Sequence, residues 1–209
     1  MPPTLRRPGV VLGPRATRTI ASILDATREL LLARGYAGTT IDEITKSAGV
    51  SRASFYTYFP SKRDVLLALG TNSGSAALVL IHALNDMPAG WTLGDIEDWV
   101  QQYFEFLDEQ GSFVFAWTQA AHEDEEIRVA GMRGHLNLCR RMGRAFAALG
   151  GTTVDDPAEF GLMVFSMLER TWAYSQLYAG TIDQAALFHT LARVLAAAVP
   201  CPMDNLSAG

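Results

Sequence analysis

Apolar residues along most of this chain recur every three or four positions, which is the spacing of one face of an α-helix. Between Thr17 and Gly35 such residues form one amphipathic segment, and a shorter one begins at Thr40. No stretch of alternating apolar and polar residues indicates a β-strand. The pattern therefore predicts an all-α protein.

Capping residues divide the N-terminal region into short helices. Thr40 and Glu43 have the spacing of a capping box, and Gly49 is suited to end that helix because glycine adopts a left-handed conformation cheaply. Ser51 can cap the next helix almost at once. Two short helices joined by a tight turn predict a helix-turn-helix over about residues 40–59.

The second of these helices lies in the segment GVSRASFYTYFPSK, which contains no acidic residue. A helical wheel places Phe55 and Phe59 on one side, with Tyr58 at its border. The opposite side bears Arg52, Ala53, Tyr56 and Thr57. Small residues, one cation and one ring are suited to close approach in the major groove of DNA. We therefore expect this face to contact DNA.

A further helix is predicted after Pro60. Ser61 and Asp64 have capping-box spacing, and Lys62 lies in the first turn. Backbone N–H groups at a helix start attract anions, so we expect Lys62 to contact a phosphate.

The remaining chain has the start and stop signals of several more helices. Predicted starts are Asp95 as a cap, Asp124, Asp156 followed by Pro157, and Asp183; predicted ends include Leu149, Gly180 and Pro200. Gly111 is predicted to separate the helix after Asp95 from an apolar segment with Phe113, Phe115 and Trp117.

Charge is distributed unevenly along the sequence. Residues 1–70 have ten Lys or Arg and five Asp or Glu, a balance of +5, whereas residues 71–209 have seven against seventeen, a balance of −10. Residues 1–16 include Arg6, Arg7 and Arg15 and are predicted to be a flexible basic arm. Because phosphates attract Lys and Arg over long distances, this asymmetry favours a polyanionic partner for the N-terminal part.

The sequence contains no clear motif for secretion, membrane insertion, metal binding or catalysis. We find no secretory signal and no apolar run near 20 residues, so a cytoplasmic protein without a membrane span is expected. Cys139 and Cys201 fit neither a disulfide framework nor a zinc ribbon. His122 and Glu126 in HEDEE could share a helix face and bind a metal, although the acids are also typical of a helix start. No nucleotide-binding or hydrolase motif is present, and we predict no cofactor, no metal and no enzyme activity.

Residues 17–69 resemble the DNA-binding domain of TetR-family transcriptional regulators. The resemblance rests on Gly35–Tyr36, Thr39–Thr40, Ala48–Gly49–Val50–Ser51, the FYTYF run and Ser61–Lys62. The segments FYTYFPSK and LERTWAYSQLYAG are also similar to actinobacterial repressors of the ethionamide-resistance type. The resemblance implies a homodimer that binds double-stranded DNA at a palindromic operator. The implied DNA-binding residues are Thr39, Thr40, Ser51, Arg52, Ala53, Ser54, Tyr56, Thr57, Tyr58 and Lys62.

The resemblance also implies a domain organisation. Residues 17–70 would be the DNA-binding domain, 71–200 a helical ligand-binding and dimerisation domain, and 201–209 a tail. Regulators of this family are most often repressors, and an apolar effector would release the protein from its operator. The pocket for this effector would be lined by Trp99, Tyr103, Phe106, Trp117, Met142, Met167 and Trp172. The dimer contact would involve Phe160, Val164, Leu187, Leu191 and Val194. A helical enzyme or metal-binding protein using residues 71–200 is the alternative.

Overall fold

The computed structural model describes residues 13–199, apart from the side chains of Ser112 and Phe115. Within these residues the chain is all-helical, as predicted. The helices are α1 Pro14–Arg34, α2 Ile41–Ser47, α3 Arg52–Tyr58, α4 Lys62–Asn85, α5 Leu93–Glu123, α6 Glu125–Leu149, α7 Pro157–Leu177 and α8 Gln184–Ala198.

The described residues form two compact units. One, which we call the head unit, contains residues 13–75 together with Gln110–Arg133; the other, the body unit, contains Ala76–Glu109 and residues 134–199. The sequence placed the domain boundary near residue 70 and gave no signal that the segment Gln110–Arg133 packs with the N-terminal residues.

Local chemistry accounts for the short helices of the head unit. Thr40 and Glu43 form the predicted capping box, Gly49 has a φ of 66°, and the Ser51 hydroxyl accepts a hydrogen bond from the Ser54 N–H. The helix-turn-helix prediction is confirmed at each of these positions. The hydrophobic core of the head unit includes Ile23, Leu24, Ile44, Phe55, Phe59 and Leu66.

The N-terminal boundary differs from the expectation. Helix α1 begins at Pro14, so Arg15 lies in its first turn rather than in a flexible arm. Proline fits this position because its missing N–H would have no partner in the first turn of a helix. Arg6, Arg7, Cys201 and the predicted tail 201–209 lie outside the described residues.

Helix α5 corrects two predictions. Thr92, not Asp95, precedes the helix, and Asp95 reaches back to accept hydrogen bonds from the Thr92 N–H at 2.6 Å and hydroxyl at 2.7 Å. The helix also continues through Gly111 without a break. Helical glycine costs only about 1 kcal/mol relative to alanine, so a single glycine need not end a helix.

Helix α4 is long and apolar enough to cross a membrane, contrary to the expectation from sequence. Many of its apolar residues are nevertheless buried within the protein, although Val79 is 67% exposed. Val65, Leu66 and Leu69 belong to the head-unit core, and Leu80, Ile81 and Leu84 belong to the body-unit core. The helix is apolar on several sides because it contributes to two cores.

Candidate nucleic-acid interface

Helix α3 exposes the face that the sequence predicts for DNA. Phe55 and Phe59 are buried, and Tyr58 packs partly against the same core. Arg52, Ala53, Tyr56 and Thr57 are exposed. The aromatic pair Phe55–Phe59 thus fixes the helix rotation, and the opposite face is available to a groove.

Arg52 and Tyr56 form one unit on this face. An Arg52 N–H donates to the Tyr56 hydroxyl at 3.2 Å, and the guanidinium carbon lies 5.7 Å from the centre of the tyrosine ring. Arg52 also makes an ion pair with Asp42 of α2. Hydrogen bonds to Asp42 and Tyr56 raise the pKa of Arg52, which remains fully charged.

The serines and threonines of the predicted set have different roles. Thr39 is buried, and its hydroxyl donates to the Gly35 carbonyl at 2.8 Å, so its prediction as a DNA contact is corrected. Thr40 is exposed but caps α2, Ser51 caps α3, and Ser54 is half-buried. Small hydroxyl residues here satisfy backbone groups first, which the Thr-Thr motif alone does not reveal.

Lys62 also differs from its prediction. Its ammonium group donates hydrogen bonds to the carbonyls of Tyr36 and Thr39, both at 2.7 Å, and lies 4.1 Å from the centre of the Tyr36 ring. Burial lowers its pKa. Two of its three donors therefore hold the segment between α1 and α2, and the geometry favours a positioning role over the expected phosphate contact.

Residues from the middle of the chain hold the same segment. Gln119 of α5 accepts a hydrogen bond from the Tyr36 N–H at 2.8 Å, and a Cβ at Gly35 would approach the same amide oxygen to 2.5 Å. Arg63 pairs with Asp124 at 3.5 Å and with Glu126 at 2.5 Å. No spacing rule connects positions 83 residues apart, so the sequence does not reveal Gln119 as a partner of Tyr36.

The predicted metal ligands do not share a helix. His122 lies at the end of α5, Asp124 caps α6, and Glu126 pairs with Arg63. Among residues 13–199 no three His, Cys, Asp or Glu side chains are grouped as a metal site would need.

The predicted effector residues fall into two cores. Trp99, Tyr103, Met142 and Trp172 are buried in the body unit, with Phe106 and Met167 packed against them. Trp117 packs in the head unit, so its prediction as an effector-lining residue is corrected. The reason for the difference is that the continuous helix α5 contributes aromatic residues to both units.

The predicted dimer residues differ in their exposure. Val164 and Leu191 are buried within the body unit, and Phe160 and Leu187 are partly buried there. Val194 is 48% exposed. The prediction that Val164 and Leu191 contact the partner subunit directly is corrected, because their side chains already fill the core of their own subunit. Other exposed apolar residues on α7 are Leu162, Met163, Tyr174 and Leu177.

Comparison with known proteins now identifies the helix-turn-helix. Residues 23–69 match the family described as "Bacterial regulatory proteins, tetR family". The segment that contains the helix-turn-helix is therefore similar to members of that family. The HTH-type transcriptional regulator EthR of Mycolicibacterium smegmatis is 47% identical over 49 residues, which cover 23% of this chain and 23% of that protein. EthR of Mycobacterium tuberculosis is 40% identical over 68 residues, 32% of each chain.

These matches span between about a quarter and a third of the relatives' length, so the likeness in sequence is one of DNA-binding domains. Solved structures extend the likeness in fold. Salmonella enterica GusR has a TM-score of 0.70 at 16% identity and covers 91% of this chain and 99% of its own. The regulator FadR from Bacillus subtilis has a TM-score of 0.65 at 19% identity, covering 86% and 99%. The matched family and relatives are transcriptional regulators rather than enzymes.

Proposed function

We propose that this protein is a homodimeric transcriptional repressor that binds a palindromic operator through α3 and is released by a small apolar effector in the body unit. The observation that carries the proposal is the exposed face of α3. Arg52, Ala53, Tyr56 and Thr57 project from a helix whose rotation is fixed by two buried phenylalanines. The positive balance of residues 1–70 supports attraction to DNA phosphates.

One recognition helix of seven residues reaches few base pairs, so specificity requires two of them. Successive major grooves on one side of DNA are about 34 Å apart. A ligand that favours a different separation of the two heads would reduce operator affinity by its difference in binding free energy between the two states.

The body unit has the composition of a ligand-binding domain. The ring centres of Trp99 and Tyr103 are 5.5 Å apart, and those of Tyr103 and Phe106 are 5.4 Å apart. Apolar and aromatic side chains line most small-molecule sites. FadR of Bacillus subtilis, which shares the fold, was solved with stearoyl-CoA, and this supports an apolar effector for the present chain.

The test is selection of bound fragments from genomic DNA by the purified protein, followed by affinity measurements on the selected duplex and on a random duplex. We expect Tyr56→Ala to lower affinity for the selected duplex by about 10-fold or more, because a base contact contributes about 1–3 kcal/mol. Tyr178→Ala is the matched control, since Tyr56 is 46% exposed and Tyr178 is 47% exposed. Failure of the wild-type protein to select any sequence, or equal losses in both variants, would refute the proposal.

Glu169 of α7 gives the body unit a distinct pH response. Burial raises its pKa to about 7, while the charge of Arg170 acts in the opposite direction. The folded protein therefore binds a proton that the unfolded chain releases between its ordinary pKa of 4.5 and about 7. The contribution of Glu169 to stability falls as pH rises through this window and is constant above it.

We expect Glu169→Gln to stabilise the protein relative to wild type by about 1–3 kcal/mol at pH 8 and by much less at pH 5. Urea unfolding at both pH values measures this difference. Burial lowers the pKa of His135, but this residue is present in both proteins and does not distinguish them. Glu109→Gln, at an exposed position of the body unit, is the control and should show little change. An equal effect of Glu169→Gln at both pH values would contradict the assignment.

A further inference from the structure

An acidic residue lies beside the DNA-facing surface although α3 itself contains none. Asp42 is in the first turn of α2, and its carboxylate pairs with one terminal nitrogen of Arg52. The other terminal nitrogen of Arg52 donates to the Tyr56 hydroxyl at 3.2 Å. The Arg52 and Asp42 side chains are 55% and 71% exposed. Arg52 is thus held from two sides on the surface of the protein.

Fold stability does not explain this contact. Exposed ion pairs contribute about 0–1 kcal/mol, and an isolated acid near DNA is repelled by phosphates. The neighbouring Glu43 has a structural task, since its carboxylate accepts hydrogen bonds from the Thr40 N–H at 3.0 Å and hydroxyl at 2.8 Å. The carboxylate of Asp42 has only Arg52 as a hydrogen-bonding side-chain partner among the described residues.

We propose that Asp42 is a specificity-determining residue that positions the Arg52 guanidinium for a base edge and withholds it from the phosphates. The inference rests on the proposed function and adds a residue to it. Asp42 acts through Arg52.

The chemistry of arginine supports this role. A guanidinium has five N–H donors in one plane, and the contacts to Asp42 and Tyr56 leave further donors for a base such as guanine, whose O6 and N7 accept from arginine. An unrestrained arginine rotates freely and pairs with any phosphate, which increases affinity for all sequences alike. Restraint by Asp42 therefore lowers general affinity and raises discrimination between sequences.

The experiment compares Asp42→Asn with wild type on the selected duplex and on a random duplex of equal length. We expect affinity for the random duplex to rise about 3- to 10-fold and the ratio of selected to random affinity to fall about 10-fold, the size of one base contact. Asp42→Glu keeps the charge and should retain most of the ratio. Thermal unfolding of each variant confirms that the fold is unchanged.

Asp25→Asn is the matched control. Asp25 is also an exposed acid of the head unit paired with an arginine, Arg28, at 2.8 Å, and its replacement changes the net charge equally. We expect it to leave the affinity ratio unchanged. In an Arg52→Ala background, Asp42→Asn should still raise affinity for both duplexes but should no longer change their ratio.

The inference would be overturned by an unchanged ratio in Asp42→Asn, by the same change in Asp25→Asn, or by a fall in the ratio that persists without Arg52. If Asp42→Asn does not fold, Asp42→Ser is measured in the same way, and failure of both variants to fold would assign Asp42 to stability and also overturn the inference. Failure of the proposed function is recognised separately, because wild type would then select no sequence.

Discussion

Gly161→Ala is expected to destabilise the body unit by more than about 3 kcal/mol, since overpacking against atoms that cannot move is among the most damaging substitutions. A Cβ at position 161 would lie 1.8 Å from the carbonyl oxygen of Cys139 and 2.6 Å from its carbonyl carbon. Nearby, a Cβ at Gly143 would lie 2.0 Å from the carbonyl oxygen of Pro157. Helices α6 and α7 therefore pack backbone against backbone, and side-chain rotation cannot relieve the clash.

Gly134→Ala is the control for this substitution. Gly134 lies in α6 and belongs to the same unit, but a Cβ there would meet no atom within 4 Å. We expect this variant to be equal to wild type or more stable by up to about 1 kcal/mol, because alanine favours the helix. Denaturant unfolding followed by circular dichroism measures both variants. A Gly161→Ala protein within about 1 kcal/mol of wild type would show that the two helices separate easily.

Features determined by neighbouring residues were predictable from the sequence. The capping box at Thr40, the Ser51 cap and the Asp183 cap form as expected, and the Ser61 hydroxyl accepts a hydrogen bond from the Asp64 N–H. Each depends on hydrogen bonds between residues two or three positions apart. The inward side of α3 followed from its 3.6-residue period for the same reason. Fold class and the exposed part of the candidate interface could therefore be obtained without a structure.

Features that depend on residues far apart in the chain were not predictable from the sequence. Lys62 lies in a first turn where a phosphate contact is expected, yet it donates to carbonyls 23 and 26 positions earlier. Thr39 is part of a motif but is buried, and Asp42 is a partner of Arg52 from another helix. Periodicity gives the face of one helix and does not show which other helix covers it.

The C-terminal helices show the same limit. Leu191 and Val194 lie three positions apart on α8 and were both predicted to contact a partner subunit. Leu191 is 5% exposed and Val194 is 48% exposed, so only the second is available to another chain. Helix α7 adds Met163, which is 69% exposed. Together Met163 and Val194 give the more specific hypothesis for the dimer contact.

A charge at either exposed position is expected to abolish dimerisation while leaving the subunit folded. Burying an unpaired carboxylate in an apolar contact is costly, whereas at an exposed position of a monomer it is well solvated. Each head would then bind DNA alone, and loss of the linkage between two binding sites lowers affinity by about 100-fold or more. We therefore expect Met163→Asp and Val194→Asp to be helical monomers that retain weak binding to any duplex and lose the operator.

Two controls separate this outcome from simple damage. Val79→Asp changes a residue of the body unit that is 67% exposed on α4, and it should remain a dimer with wild-type operator affinity. Leu191→Asp places the same charge in the core and should unfold the body unit. Sedimentation gives the oligomeric state, circular dichroism the helix content, and a duplex titration the affinity. Because the controls fix the effects of surface charge and of core damage, a Val194→Asp or Met163→Asp dimer would exclude that position from the contact, and a monomer with wild-type operator affinity would refute the need for two heads.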